Sequence, residues 1–242
     1  MSAPTPFCLR QSEGVARIDL GRPEEGNALT RQMMVQLADQ IGALSDDSSV
    51  HVIAIEGKGP MFCRGRDGRG ESAGDMTAYD MRTKLFQPVL DTYAAIAAAT
   101  VPVVALVHGP AIGFGAALAS ACDVTLAAET ATFAFPEIAH GIPPTLAMSG
   151  VFGKISPKAL SYLIYSGRTV DAREAVAIGI ASQRFPDETF EASSDAFLAD
   201  LAAKSRPILE TIKRFDTAAK DLGPALRGDY AGTLMALMRT AR

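Results

Sequence analysis

The sequence predicts an α/β core followed by a helical C-terminal part. Three observations lead there. Short apolar runs end in glycine-rich turns and give way to helical spacing, and this order recurs along the chain. Apolar residues make up 48% of the 242 residues and charged residues 21%, which allows a sizeable core and excludes wholesale disorder. From about residue 187 helical patterning dominates, broken at Gly223-Pro224. The expected division is a core over residues 1–186 and a helical region over residues 187–242.

The elements follow in order. Residues 7–10 and 15–20 read as a hairpin around Ser12-Glu13-Gly14, although Val15, Ile18 and Leu20 do not alternate cleanly. After GRPEEGNALT, Thr30 is placed to cap a helix in which Met33, Met34, Leu37, Ile41 and Leu44 share one face. The polar turn at residues 46–49 ends it. HVIAIE (51–56) is a buried strand, and a loop rich in glycine and arginine occupies residues 57–74. A long helix is expected over residues 76–98, then a second buried strand over 103–107. Residues 109–115 form a turn, 116–121 a helix of small residues and 123–128 a third strand, with a fourth at 132–134. Helical segments are expected at 147–152, 157–165 and 172–178, and a last strand at 181–185. Met33, Met34, Leu85 and Phe86 suit a core or a subunit contact. Asp67, Asp75 and Asp123 suit turns or helix caps.

Several function classes are disfavoured at once. The formal net charge is −4, so a broad nucleic-acid surface is not expected. Arg64, Arg66 and Arg69 superficially suggest an RNA contact, but no aromatic residue interleaves them. Cys8, Cys63 and Cys122 form no CxxC pair, so neither a disulfide framework nor a zinc site is expected. A reducing, cytoplasmic setting fits, and the first residues lack the pattern of a signal peptide. Residues 101–122 are apolar enough to suggest a membrane span. However, Pro102, Gly109, Pro110, Gly113 and Gly115 interrupt them, so no membrane association is expected.

Two strand-to-loop junctions are the candidate chemistry. One is Phe62-Cys63-Arg64-Gly65-Arg66-Asp67; the other runs from Gly109 to Gly115. Glycine there lets the backbone turn sharply and leaves peptide N–H groups free, and two such donors converging on one point make an oxyanion hole. No GxxxxGK[ST], GxGxxG or GxSxG occurs, which removes the common nucleotide and serine-hydrolase readings.

GRPEEGNALT (21–30), FCRGRD (62–67), VHGPAIGFGAALASACDVTLAAETATFAFPEI (107–138) and DAREAVAIGI (171–180) stand in an order and at spacings that resemble the crotonase, or enoyl-CoA hydratase/isomerase, superfamily. The resemblance covers nearly the whole chain. It implies a spiral of repeated ββα units, a homotrimer or dimer of trimers, and an acyl-CoA substrate, with coenzyme A entering as part of that substrate and no permanently bound cofactor. It implies oxyanion donors at the backbone N–H of Arg66 and Phe114. Their side chains, larger than the family's usual small residues, would then reshape the acyl pocket. Arg64, Gly65 and Gly113 are implied to contact the CoA portion or the turn that holds it. Many members carry a further C-terminal helix beyond the point where this chain stops at Arg242, so no CoA contact is assigned to the C-terminus.

Hydratases of this family use two glutamates. One position is Glu137, in Phe135-Pro136-Glu137-Ile138; the other is Ala117. By spacing alone Glu137 is most simply an exposed or capping residue, and the resemblance turns it into a base. A single carboxylate suffices to move a proton from the α-carbon to the γ-carbon of a 3-enoyl thioester, so isomerase chemistry is favoured. Burial among Phe133, Phe135 and Ile138 would raise the pKa of such a base. Hydration, thioester hydrolysis or decarboxylation is the alternative, with water held by His140 or Thr145. A non-catalytic acyl-CoA-binding protein is a further alternative. His108 suits a structural hydrogen bond, and no metal is expected.

Overall fold

A strand covered on both faces needs apolar side chains at nearly every position. The runs VIAIEG, VVALV and VTLAA meet that need. In the computed structural model, which describes residues 7–69, 71, 74 and 76–240, they form the middle of a six-stranded sheet. An antiparallel hairpin, β1 (Phe7–Ser12) and β2 (Val15–Leu20), precedes α1 (Arg31–Asp46) and β3 (Val52–Gly57). A helix in three parts follows: α2 (Ala78–Asp80), a wider π-helical stretch (Met81–Phe86) and α3 (Gln87–Ala98). Next come β4 (Val103–Val107), β5 (Ala111–Ile112), α4 (Phe114–Ala121), β6 (Val124–Ala128) and β7 (Thr132–Ala134). The chain continues through α5 (Thr145–Val151), α6 (Pro157–Ser166), β8 (Thr169–Asp171), α7 (Ala172–Ile178) and β9 (Gln183–Phe185). The helices α8 (Asp187–Ala202), α9 (Arg206–Ala219) and α10 (Pro224–Thr240) complete the described residues.

The large sheet has the order β1-β2-β3-β4-β6-β9 and is parallel from β2 onward. A smaller sheet, β5-β7-β8, pairs β5 parallel and β8 antiparallel to β7. Side chains alternate between two cores. Ile53, Ile55, Val103, Ala105 and Val107 enter the main core with α1, α3 and α4. Val52, Ala54, Val104 and Leu106 face the other way, under Phe190, Leu198 and Ala202 of α8. The uneven hairpin pattern resolves in the same way, since Ala16, Ile18 and Leu20 share the main-core face.

Several boundaries differ from the expected ones for local reasons. The long helix starts at Ala78 rather than residue 76, because Thr77 and Asp80 close a reciprocal capping box. The helix expected from Ala116 begins at Phe114, and the turn before it contains β5. The strand expected from His51 begins at Val52, while the His51 imidazole bonds the Ala202 carbonyl at 2.7 Å. Asp67 and Asp123 do hold turns: Asp67 receives Arg69, and Asp123 accepts the Val103 N–H at 2.8 Å. Asp75 lies outside the described residues. His108, just past the end of β4, donates from Nε2 to the Gly59 carbonyl, 2.7 Å away.

Two cations fasten α9 to this frame. Arg206 donates to the carbonyls of Ser45 and Val50 at 2.6 and 2.9 Å and also to that of Asp47, satisfying the end of α1. Lys213, almost wholly buried, donates to the Ile96 carbonyl at 2.8 Å and pairs with the Asp123 carboxylate. Replacing Lys213 strands a buried acceptor and a carboxylate together. Lys213→Ala is expected to lose about 3 kcal/mol of stability, seen as a lower urea midpoint with an unchanged slope.

Candidate active site

Because β3 and β4 are parallel neighbours, their C-terminal ends emerge side by side. The loops that leave them are laced together. Ile112 N–H donates to Cys63 O at 2.9 Å, and Cys63 N–H donates to Pro110 O at 3.3 Å. The approach excludes side chains at two points. A Cβ on Gly115 would lie 2.1 Å from Cys63 O, and one on Gly65 would lie 2.9 Å from Ile112 O. Gly65 also has φ +117°, which an L side chain rarely adopts.

This lacing brings two amides together. Leu29 N–H donates to Gly65 O at 2.9 Å, and Asp67 N–H donates to Leu29 O at 2.8 Å. Successive amides in extended backbone face opposite ways, so the Arg66 N–H between them points away from Leu29. Phe114 is the first residue of α4, where an N–H has no partner within the helix. The neighbouring Gly113 N–H is taken by Ala134 O at 2.8 Å. A Cβ on Gly65 would sit 3.6 Å from Phe114 N, so the Arg66 and Phe114 amides are neighbours.

Arg64, Gly65, Arg66, Gly113, Phe114 and Glu137 all line one cavity of about 570 Å³. Glu137 comes from the 3-10 turn Pro136–His140, and its Oε1 lies 2.8 Å from where a Cβ on Gly113 would be. Its Oε2 is buried and has no hydrogen-bond partner among the described residues. Burial raises the Glu137 pKa above its usual 4.5, opposed by its own backbone amide and by nearby His140. Among the described lining residues Glu137 is the only carboxylate. Donors beside an open acid in a largely apolar cavity can stabilise an enolate while a proton moves.

The comparisons with known proteins bear on this geometry directly. Residues 10–229 match the protein family described as enoyl-CoA hydratase/isomerase. The chain belongs to that family. It is 33% identical to a probable enoyl-CoA hydratase, echA8, of Mycobacterium tuberculosis, over 87% of this chain and 76% of that one. It is 30% identical to the zebrafish (Danio rerio) enoyl-CoA hydratase domain-containing protein 3, mitochondrial, over 84% of this chain and 70% of that one. The crystal structure of an enoyl-CoA hydratase from Mycobacterium smegmatis superposes with a TM-score of 0.91 at 26% identity, covering 97% of this chain and 91% of that one. The crotonase fold and an acyl-CoA enzyme of the hydratase/isomerase family are therefore the setting for the residues above.

Not every expected contribution is where the sequence reading put it. Phe133 and Phe135 are buried near Glu137, but Ile138 is 41% exposed and packs toward Gly167 instead. Thr145 starts α5 and is not among the cavity's lining residues, whereas His140 is. The side chain of Arg66 turns to Glu71 and lies over the Phe86 ring at 5.9 Å, and Arg69 pairs with Asp67 at 2.8 Å. Arg64 and Arg69 are both exposed, and of the two only Arg64 lines the cavity. Phe114 stacks on Tyr93, with ring centroids 5.7 Å apart, and Tyr93 is a lining residue that the sequence reading had not singled out. Among the described residues no cluster of His, Cys, Asp and Glu could hold a metal, and no helix is long and apolar enough to cross a membrane.

The raised pKa of Glu137 has a sign for stability. Between its unfolded and folded pKa values the folded state binds more protons, so stability falls as pH rises through that window. Glu137→Gln removes the cost of the buried charge. At pH 7 this variant is expected to melt a few degrees above the parent, and the difference should vanish below pH 4.5.

Proposed function

We propose that the enzyme shifts the double bond of a 3-enoyl-CoA to the 2-position, with Glu137 as the single proton carrier. The observation that carries this reading is the pairing of a lone open carboxylate, Glu137, with an alanine, Ala117, at the other acid position of the family. In the proposed reaction the thioester oxygen accepts the Arg66 and Phe114 amides. Glu137 takes the α-proton, the electrons pass into a dienolate held by those amides, and the carboxylic acid returns the proton at the γ-carbon. No atom is gained or lost, and burial keeps the acid basic enough for the first step. Coenzyme A enters only with the substrate, and the exposed Arg64 at the mouth suits its phosphates.

Hydration is the second reading. His140 lines the cavity beside Glu137 and could orient a water molecule, and the relatives named above are called hydratases. A panel of 2-enoyl, 3-enoyl and saturated CoA thioesters in deuterated water separates the possibilities. Isomerisation predicts α-label and 3-enoyl consumption that fall by a factor of ~100 or more in Glu137→Gln. Net conversion of 2-enoyl-CoA to a hydroxyacyl product would replace it with the hydratase reading. Absence of exchange with every thioester would favour a binding role.

We further propose a homotrimer or a dimer of trimers, in the cytoplasm, with no nucleic-acid or membrane partner. Large exposed apolar residues just past α5 and on α6, α9 and α10, including Phe152, Tyr162, Tyr165, Ile208 and Ile212, support a face covered by another copy. Three free thiols support a reducing setting. Light scattering behind size exclusion should return three or six times the mass of 25.4 kDa, and a monomeric mass would overturn the assembly.

A further inference from the structure

The acyl-CoA cavity has a mouth and an end. Arg64, His140 and Ile142 are exposed, whereas Val89, Tyr93, Phe114 and Ala147 are buried. On the far side of Tyr93 lies a surface groove of about 270 Å³, walled by the exposed Ala97, Ser149 and Phe152 together with Gly150 and Lys154. Tyr93 is the one described residue that lines both. Its ring is clamped between Phe114 on one side and α5 on the other, where a Cβ on Gly150 would come within 3.0 Å of it. The ring is therefore a partition.

The hydroxyl of Tyr93 is buried and has no hydrogen-bond partner among the described residues. A phenylalanine would fill the same space without leaving a polar atom unpaired. Burial first, then the charge of Glu137, raises the phenol's pKa well above its usual value, so the group is a neutral donor in the physiological range. An acidic group on the substrate would be repelled by Glu137, and a plain hydrocarbon chain would leave the donor unused. A neutral oxygen satisfies it.

We propose that Tyr93 selects the acyl group: its ring ends the acyl cavity, and its hydroxyl donates a hydrogen bond to an uncharged keto or hydroxyl oxygen on a short acyl chain. This rests on the reading of the cavity as an acyl-CoA site.

The test is calorimetric titration of the full-length protein, Tyr93→Phe and Tyr93→Ala with free CoA and with hexanoyl-, 3-oxohexanoyl-, 5-oxohexanoyl- and decanoyl-CoA. The parent should bind one of the oxo thioesters about tenfold more tightly than hexanoyl-CoA. Tyr93→Phe should erase that preference, keep the hexanoyl-CoA affinity and melt no lower than the parent. Tyr93→Ala, by opening the cavity into the groove, should bind decanoyl-CoA about tenfold more tightly than the parent does. Should Tyr93→Ala fail to fold, Tyr93→Leu takes its place. An oxo preference that survives in Tyr93→Phe, or a lower melting temperature for that variant, overturns the proposal. Thioesters that bind with a preference independent of Tyr93 overturn this inference alone. Failure of free CoA and every thioester to bind the parent overturns the acyl-CoA reading beneath it.

Discussion

The carbonyl of Cys63 is the joint on which the site depends. It accepts Ile112 N–H, and it lies so close to Gly115 that no side chain could begin there. Parallel strands deliver their loops to the same edge of a sheet, but adjacency alone would leave two loops free to drift. The Cys63 joint fixes their spacing, and with it the spacing of the Arg66 and Phe114 amides. A third motif reinforces it. The side chain of Asn27 donates to the carbonyls of Lys58 and Met61, both at 2.8 Å, and the Cys63 thiol donates to Asn27 O at 3.2 Å. The GRPEEGN segment thus braces the first loop from behind, and Arg22 extends the brace to Asp67 at 3.2 Å. Preorganised backbone donors reach full strength only when they cannot relax toward other partners.

Placing the donors on the backbone frees the side chains for other work. Arg66 carries a long cation at a position where small residues are usual in the family, yet its guanidinium is drawn away by Glu71 and the Phe86 ring. Phe114 instead narrows the cavity by stacking on Tyr93. The site as a whole is costly. Glu137 Oε2 and the Tyr93 hydroxyl are both buried without partners, and each such atom opposes folding. The stabilising contacts lie elsewhere, in the two-sided sheet and in the pins that Lys213 and Arg206 drive into the frame. Function and stability are drawn from different parts of the same chain.

Much of this was legible in the residues. The apolar runs of β3, β4 and β6 could hardly be anything but doubly buried strands, and the glycine turns after two of them marked the right edge of the sheet. The illegible parts share a cause, in that tertiary contacts decided them. β8 is three residues, Thr-Val-Asp, too short for a period and formed because β7 offers an edge. α4 begins at Phe114 because Gly113, at φ +54°, turns the chain there without any capping side chain. Ile138 and Glu137 are adjacent, and a 3-10 turn sends one outward and the other into the cavity. Nothing in the spacing of the helix over residues 76–98 singles out Tyr93. Only the missing partner of its hydroxyl distinguishes it from core, and a sequence does not record missing partners.

The single-acid arrangement is also internally consistent. Ala117 is fully buried in α4 among Gly115, Ala116, Leu118 and Ala119. A carboxylate there would have to be desolvated at a cost of several kcal/mol. With alanine in place, the elevated basicity of Glu137 comes chiefly from burial, and His140 opposes it only in part. The proton affinity of Glu137 is then set by how well the cavity excludes water. Phe114 and Tyr93, stacked at the buried end, therefore shape the proposed acyl site by the same packing that keeps water from that end.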